Sequence, residues 1–174
     1  AQDAPVTYTS YPGTGEHADW KPRILRSVDL ADPALWQPSG SNIWKAVPSL
    51  AGGTNVNTDI GNIVLVQKGA TQKTAAFKRW SIDELRVQGD FFSSPLSPAA
   101  GPRTIFFYSE KNPAELYGLI EAAPKINAVS VKKPEWYVLD GLAFGYTAAH
   151  GIGGAGHTHV RIRWGERSDD RLRL

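Results

Sequence analysis

The sequence contains no cysteine, and this absence excludes disulfide bonds, thiolate nucleophiles and metal sites built on sulfur. Methionine is absent too, which together with 12 prolines favours a protein that withstands heat or harsh exposure. No apolar run approaches the ~18 to 20 residues of a membrane helix, and the start AQDAPVTYTS lacks the features of a signal peptide. We therefore expect a soluble chain, in which Ala1 follows either removal of an initiator methionine or cleavage of a leader.

Net charge is low over most of the chain, because basic and acidic residues balance there. The formal net charge is +2, which is too small and too dispersed to predict specific nucleic-acid binding. Residues 157–174 hold five arginines against Glu166, Asp169 and Asp170, so this segment carries the whole excess and the rest is neutral. The basic segment is therefore a candidate contact surface.

Short segments rich in β-branched and aromatic residues, bounded by Gly, Pro, Ser or Asn, predict about eight β-strands. They are 5–11, 23–30, 62–68, 83–92, 103–109, 126–132, 135–146 and 157–164. Within 83–92, the apolar Leu85, Val87 and Phe91 alternate with polar residues, as expected of a sheet with one solvent-exposed face.

Helical signals are few. Asn112 as a cap, Pro113 at the first helical position and an apolar stripe predict one short helix over about 112–123, ending by Pro124. The same cap-then-proline pattern at Asp32 predicts a short second helix or turn. Three tracts rich in Gly, Pro, Ser or Asn are predicted to be loops, namely 37–42, 51–59 and 93–102.

Many short strands with one inserted helix predict a mainly β fold, a single jelly-roll-like β-barrel or sandwich of about eight strands. The length of 174 residues predicts one domain, 1–174. Within it, residues 1–22 are expected to form an extended N-terminal arm, and 157–174 a basic C-terminal strand and tail.

The stretch HGIGGAGHTHVRIRW contains the residue types most typical of a catalytic, metal or phosphate-binding site. On a strand, His157, His159, Arg161 and Arg163 share one face, and a glycine precedes the first histidine at the spacing of a cupin metal motif. The carboxylate of that motif is missing, because Glu166 comes too late, and the arginines would repel a cation. The glycines have dinucleotide-loop spacing, but a strand follows them instead of a helix. We therefore expect no metal, no cofactor and no catalytic residue, and interpret this face as an interface.

Tryptophan is the other notable residue type. Trp20, Trp36 and Trp44 lie in the irregular N-terminal third, where such side chains dock loops onto a barrel or contact a neighbouring subunit. Aromatic rings in loops also suit sugar binding. The predicted contact residues are thus His157, His159, Arg161, Arg163, Trp20, Trp36 and Trp44.

A chain of this size without Cys or Met, with the start AQDAPVTYTSYPGTG, the strand series and the end GHTHVRIRWGERSDD, resembles single-β-barrel viral coat proteins. More narrowly, it is similar to the smaller major capsid proteins of tailless icosahedral Thermus phages that carry an internal membrane. The resemblance implies a structural role in the virion, without a cofactor, as a jelly-roll subunit. It would pack beside a second coat protein and above the anionic lipid of a vesicle.

Self-association is expected to produce a homodimer. The glycines within 151–156 form a hinge that would let the last strand exchange between copies, and the N-terminal arm is the alternative exchanged segment; simple side-by-side packing is a further alternative. Two other functions stay open. One is a secreted or periplasmic β-sandwich that binds carbohydrate or another small ligand, and the other is a cupin-type enzyme.

Overall fold

The structure is a computed structural model that describes residues 6–9, 22–50, 54–56, 58–94, 103–130, 135–154 and 158–163. Contacts between residues divide the chain into two compact units. The first unit comprises 1–25, 127–145 and 150–173, and the second comprises 26–126, 146–149 and 174. The single domain expected from the chain length stays a prediction.

The described residues are mainly β, in short strands. These are β1 Val6–Thr9, β2 Arg23–Leu25, β3 Val28–Asp29, β4 Gln37–Gly40, β5 Ile43–Ala46, β6 Ser49–Leu50, β7 Thr54–Asn55, β8 Ile60–Gln67, β9 Lys73–Ala75, β10 Phe77–Lys78, β11 Asp90–Ser93, β12 Ile105–Tyr108, β13 Tyr117–Pro124, β14 Val129–Ser130, β15 Glu135–Asp140, β16 Ala143–Gly145, β17 Ile152–Gly153 and β18 Thr158–Arg163. The helix α1 spans Pro113–Leu116, and two 3₁₀ helices span Pro33–Leu35 and Ile82–Glu84.

The second unit contains two sheets that share one hydrophobic core. One is antiparallel in the order β3-β13-β8-β9, and the other has the order β10-β11-β12-β5-β4, with β10 parallel to β11. Ile63 and Ile120 of the first sheet and Phe91, Ile105 and Phe107 of the second are all fully buried in the same cluster. This packing of two sheets is consistent with a β-sandwich.

The chain passes from one sheet to the other at a single residue. Strands β9 and β10 are separated only by Ala76, whose N–H donates to the carbonyl of Ile63 at 2.9 Å. Close by, Asp59 binds Lys78 of β10 and lies 3.8 Å from the buried guanidinium of Arg103, just before β12. These ion pairs join the start of β8 to the second sheet.

The first unit contains a parallel sheet in the order β1-β15-β18. Tyr137 and Leu139 of the central strand β15 are buried and share one face, whereas Val138 and Asp140 on the other face are half-buried. Two small parallel pairs, β14 with β17 and β16 with β2, belong to the same unit.

The helix predicted over 112–123 is much shorter than expected. Asn112 accepts a hydrogen bond from the N–H of Ala114 at 3.1 Å as predicted, but α1 ends at Leu116 after one turn. Residues 117–124 form strand β13 instead, which pairs with β8 and buries Ile120 and Ala122. Pairing with a long apolar strand outweighs the local helical preference, because propensity is a weak signal beside tertiary packing.

The strand predicted over 83–92 is also wrong in its first part. Residues 82–84 form a 3₁₀ helix, a turn follows, and the strand begins only at Asp90. Leu85 is buried as predicted, whereas Val87, expected on the same face, is exposed. The cause is a side-chain hydrogen-bond network around Asp90, described below.

Several other predictions have an outcome. The short helix after Asp32 is confirmed, since its carboxylate accepts from the N–H of Ala34 at 2.9 Å before the 3₁₀ helix. The loop predicted over 37–42 is instead strand β4 and a turn, in which Asn42 adopts a positive φ of 59°.

The described strands do not close into a barrel, and they are shorter and more numerous than expected. The jelly-roll topology stays a prediction, and most of the expected arm, 1–5 and 10–21, lies outside the described residues.

Candidate interaction surface

A loop of the second unit exposes apolar side chains that would normally be buried. Among the described residues eight large apolar side chains are exposed, and four of them lie between residues 77 and 87. They are Phe77 at 62% exposure, Trp80 at 86%, Ile82 at 37% and Val87 at 60%. Residues 77–89 are called the Trp80 loop below. A concentration of this kind marks an interaction site more often than single scattered apolar residues do.

Backbone hydrogen bonds fix both ends of the Trp80 loop. Strands β10 and β11 pair in parallel, and the N–H of Phe77 donates to the carbonyl of Gly89 at 3.0 Å. The N–H of Arg79 donates to the carbonyl of Phe91 at 2.7 Å, and the N–H of Gly89 to that of Tyr108 at 3.1 Å. Gly89 has a φ of +90°, a conformation that favours glycine. The loop therefore leaves the sheet and returns to it at closely neighbouring positions.

The buried carboxylate of Asp90 organises the inside of the loop. Asp90 is 2% exposed, and its Oδ2 accepts from the N–H groups of Arg86 at 3.1 Å and Val87 at 3.0 Å. Its Oδ1 lies 3.1 Å from Nε of Arg79, which makes an ion pair although the N–H is not aligned for a hydrogen bond. One side chain thus holds the turn and the outgoing strand together.

The same contacts set the charge state of Asp90. Burial raises the pKa of this carboxyl, but the two backbone N–H groups and the positive charge of Arg79 outweigh burial, so the pKa lies below its ordinary value of 3.8. The carboxylate is therefore ionised at neutral pH, and it meets the condition that a buried charge be paired and hydrogen-bonded.

Further contacts orient the exposed rings. The guanidinium carbon of Arg79 lies 4.3 Å from the centre of the Phe77 ring, within cation–π range. The N–H of Trp80 donates to Oε2 of Glu84 at 2.9 Å, which ties the backbone of Trp80 to the 3₁₀ helix. The Trp80 loop is thus held by polar contacts, while four of its five large apolar side chains, all except Leu85, are exposed.

Charges of both signs border the apolar side chains. Lys78 and Arg79 already have partners in Asp59 and Asp90. Asp83 and Arg86 are exposed, and neither forms an ion pair within the part of the chain that the structure describes. The residues around the exposed apolar side chains therefore offer at least one positive and one negative charge to a binding partner.

The predicted tryptophan contacts have different outcomes. Trp36 is 4% exposed, donates from Nε1 to the carbonyl of Leu30 at 2.8 Å, and meets the Phe107 ring edge-on at 5.7 Å. It belongs to the core, so it docks its own loop and offers no surface to a neighbour. Trp44 is partly buried against this core and donates to the carbonyl of Ser109 at 3.1 Å. Trp20 lies outside the described residues.

The structure describes only part of the predicted basic face. His157 lies outside the described residues. His159, Arg161 and Arg163 belong to β18, where Arg161 pairs with Val138 and Arg163 with Asp140 of β15. Their backbone positions share one face of the strand, as the alternation predicted.

Among the described residues no group of three or more metal-ligating side chains is found, and no helix is long and apolar enough to cross a membrane.

Sequence reasoning missed the Trp80 loop. The signal lies in FKRWSIDEL, where Ser81 precedes two acids in the pattern that starts a short helix. A helical turn after Trp80 ends the strand alternation, so Val87 need not face inward. The sequence gives no comparable signal that Asp90 is buried, because an Asp in a strand-like segment is normally predicted to be exposed to solvent.

No protein-family model matches the chain, and neither a curated protein nor a solved structure matches it.

Proposed function

We propose that this chain is a structural coat protein of an icosahedral virion, a jelly-roll subunit that packs with copies of itself and with a second coat protein. The observation that carries the proposal is the Trp80 loop, with four exposed apolar side chains on a hydrogen-bonded frame. No cofactor and no catalysis enter this function. The resemblance to the capsid proteins of tailless Thermus phages supports the same role and suggests an internal membrane, with anionic lipid as a further partner.

The frame of the loop favours a binding role over incidental exposure. A loop that is already ordered loses little conformational entropy when it binds, so more of its buried area contributes to affinity. Trp and Arg are also the side chains that most often dominate protein interfaces. Trp80 and Arg86 therefore suit a protein contact, as assembly of a shell requires.

A second candidate function is carbohydrate binding. The ring of Trp80 is almost fully exposed, and an exposed aromatic face can stack on a sugar ring. A module of this kind would act as a monomer, and its partner would be a glycan instead of another coat subunit.

The two functions are separated by comparing wild type with Trp80→Ala, and with Leu35→Ala as a matched control. Leu35 is an exposed apolar residue of the same unit outside the loop. For a coat protein, sedimentation velocity and electron microscopy should show wild type and Leu35→Ala associating with rising concentration, and Trp80→Ala associating less. A chain that stays monomeric and binds a glycan array through Trp80 contradicts the coat function and supports the alternative.

A further inference from the structure

We infer that the Trp80 loop binds the Trp80 loop of a second copy of this chain, in a two-fold symmetric contact in which Arg86 of each copy pairs with Asp83 of the other. The inference rests on the proposed function, because it names the partner of the same surface. It assigns the dimer contact to a loop that lies in neither of the two terminal segments.

The apolar part of the loop suits a like surface. Trp80, Ile82 and Val87 are exposed within eight consecutive residues, and the indole N–H of Trp80 is the one hydrogen-bonding group among their side chains. Apolar surfaces associate without directional demands, so one copy of this patch can cover another. Such a contact removes both patches from water at once.

The charges around the patch decide between possible partners. The two cations nearest the sheet, Lys78 and Arg79, are already paired with Asp59 and Asp90 inside the chain. What is left at the surface is Arg86 with the two acids of the 3₁₀ helix, Asp83 and Glu84. An anionic lipid surface would meet more negative than positive charge here. A second copy carries both positive and negative charges, so each charge at this surface can meet one of opposite sign.

Two-fold symmetry turns this mixed charge into complementarity. In such a contact, if Arg86 of the first copy meets Asp83 of the second copy, then Asp83 of the first copy also meets Arg86 of the second. One Arg86–Asp83 pairing is therefore automatically made twice. Glu84 is a less suitable partner, because its carboxylate already accepts from the N–H of Trp80.

The size of the loop predicts a weak contact. Stable protein interfaces use about 20 to 30 residues on each side, and the Trp80 loop spans residues 77–89 only. Isolated dimers should therefore form only at high concentration. Repetition of the contact in an assembly raises the effective concentration of each partner, which suits a shell subunit.

The test is a charge exchange measured by sedimentation equilibrium of the full chain. Arg86→Glu and Asp83→Arg should each weaken self-association by about tenfold or more, because each places like charges opposite one another. The double variant should associate within about threefold of wild type, because both pairings are restored with reversed signs. An equimolar mixture of the two single variants should also associate, as heterodimers. Lys111→Glu is an exposed control with the same charge change as Arg86→Glu, and it should leave association unchanged.

Other results overturn the inference in distinguishable ways. A double variant as weak as either single variant means that the loop does not meet its own copy symmetrically. If Trp80→Ala still weakens association in that case, the proposed coat function is not contradicted, and only the surface that the loop contacts on the second copy is wrong. Association unaffected by every loop variant shows that assembly uses another surface. A chain that stays monomeric at every concentration removes both the inference and the self-association on which it rests.

Discussion

The β8–β13 strand pair and the Trp80 loop use apolar side chains in opposite ways. In the strand pair, Ile63, Leu65 and Ile120 are buried between two sheets. The loop buries Leu85 and ends at the buried carboxylate of Asp90, whereas Trp80 and three other large apolar side chains are exposed. Hydrophobic burial determines the first region, whereas hydrogen bonds and an ion pair determine the second. Stability and association should therefore respond to different residues.

The comparison also shows why the loop can expose apolar surface without collapsing. An ordinary loop would bury Trp80 and Val87 by folding them inward. Here the N–H groups of Arg86 and Val87 are committed to Asp90, which fixes the backbone of the turn. The polar frame thus opposes hydrophobic collapse within the chain and keeps the apolar side chains exposed.

The contrast is tested most directly by the same substitution in the loop and in the core that the strand pair shares with β12. Phe107 is fully buried and meets the rings of Trp36 and Tyr117, so Phe107→Ala should lower the free energy of unfolding by about 3–5 kcal/mol. Phe77→Ala in the loop should cost about 1 kcal/mol or less, mainly through its contact with Arg79. Urea unfolding measures both values. Equal losses would mean that the loop ring is packed like a core residue.

Replacing the buried acid should cost less than opening the core but more than a surface change. Asp90→Asn removes the charge that receives two backbone N–H groups and faces Arg79, and should lower the free energy of unfolding by about 2 kcal/mol. Asp83→Asn changes an exposed acid of the same loop and should stay within about 0.5 kcal/mol. If the two variants lost equal stability in urea unfolding, Asp90 would not be the support of the loop.

The contribution of Asp90 should vanish at low pH. Its pKa in the folded chain lies below the ordinary value of 3.8, so the carboxylate stabilises the fold above that pH. This stability is lost as the pH falls through the lowered folded-state pKa. The stability difference between wild type and Asp90→Asn, measured from about pH 6 to about pH 2, should therefore shrink below about pH 3.8. A difference that stays constant over this range would show that the charge of Asp90 contributes nothing.

The smallest effect on stability is expected at the most exposed residue. Trp80→Ala removes a ring that is 86% exposed, so the free energy of unfolding should change by about 0.5 kcal/mol or less. Near-ultraviolet circular dichroism and urea unfolding together check that the fold is retained. A large loss would place Trp80 within the packing of its own chain, and would undo the contrast with the buried strand pair.

Local sequence signals located several elements well. The apolar run NIVLVQK predicted a strand over 62–68, and β8 spans Ile60–Gln67. The capping residues Asp32 and Asn112 both act as predicted, because each needs only its own next few residues. These are positions where neighbouring residues decide the backbone.

Elements that depend on distant partners were not predictable in this way. Leu116, Leu119 and Ile120 form a helical stripe in the sequence, yet residues 117–124 form a strand because β8, 50 to 64 residues earlier in the chain, offers a complementary ladder. The outward turn of Val87 depends on Asp90 and Arg79, whose partnership requires the parallel pairing of β10 and β11. Trp36 could be placed in the core only once Phe107 was known to lie beside it. Periodicity does not encode such pairings.

The single-residue crossover at Ala76 constrains how this chain can vary. Because side chains alternate along an extended strand, one inserted or deleted residue between β9 and β10 would reverse the face on which Phe77 and Lys78 point. Lys78 would then lose its ion pair with Asp59, and Arg79 would lose its ion pair with Asp90. Substitutions at the tip of the loop leave this register unchanged. The length of the chain leading to the loop is constrained by these contacts, so variation in the loop should arise by point changes and not by insertions at this junction.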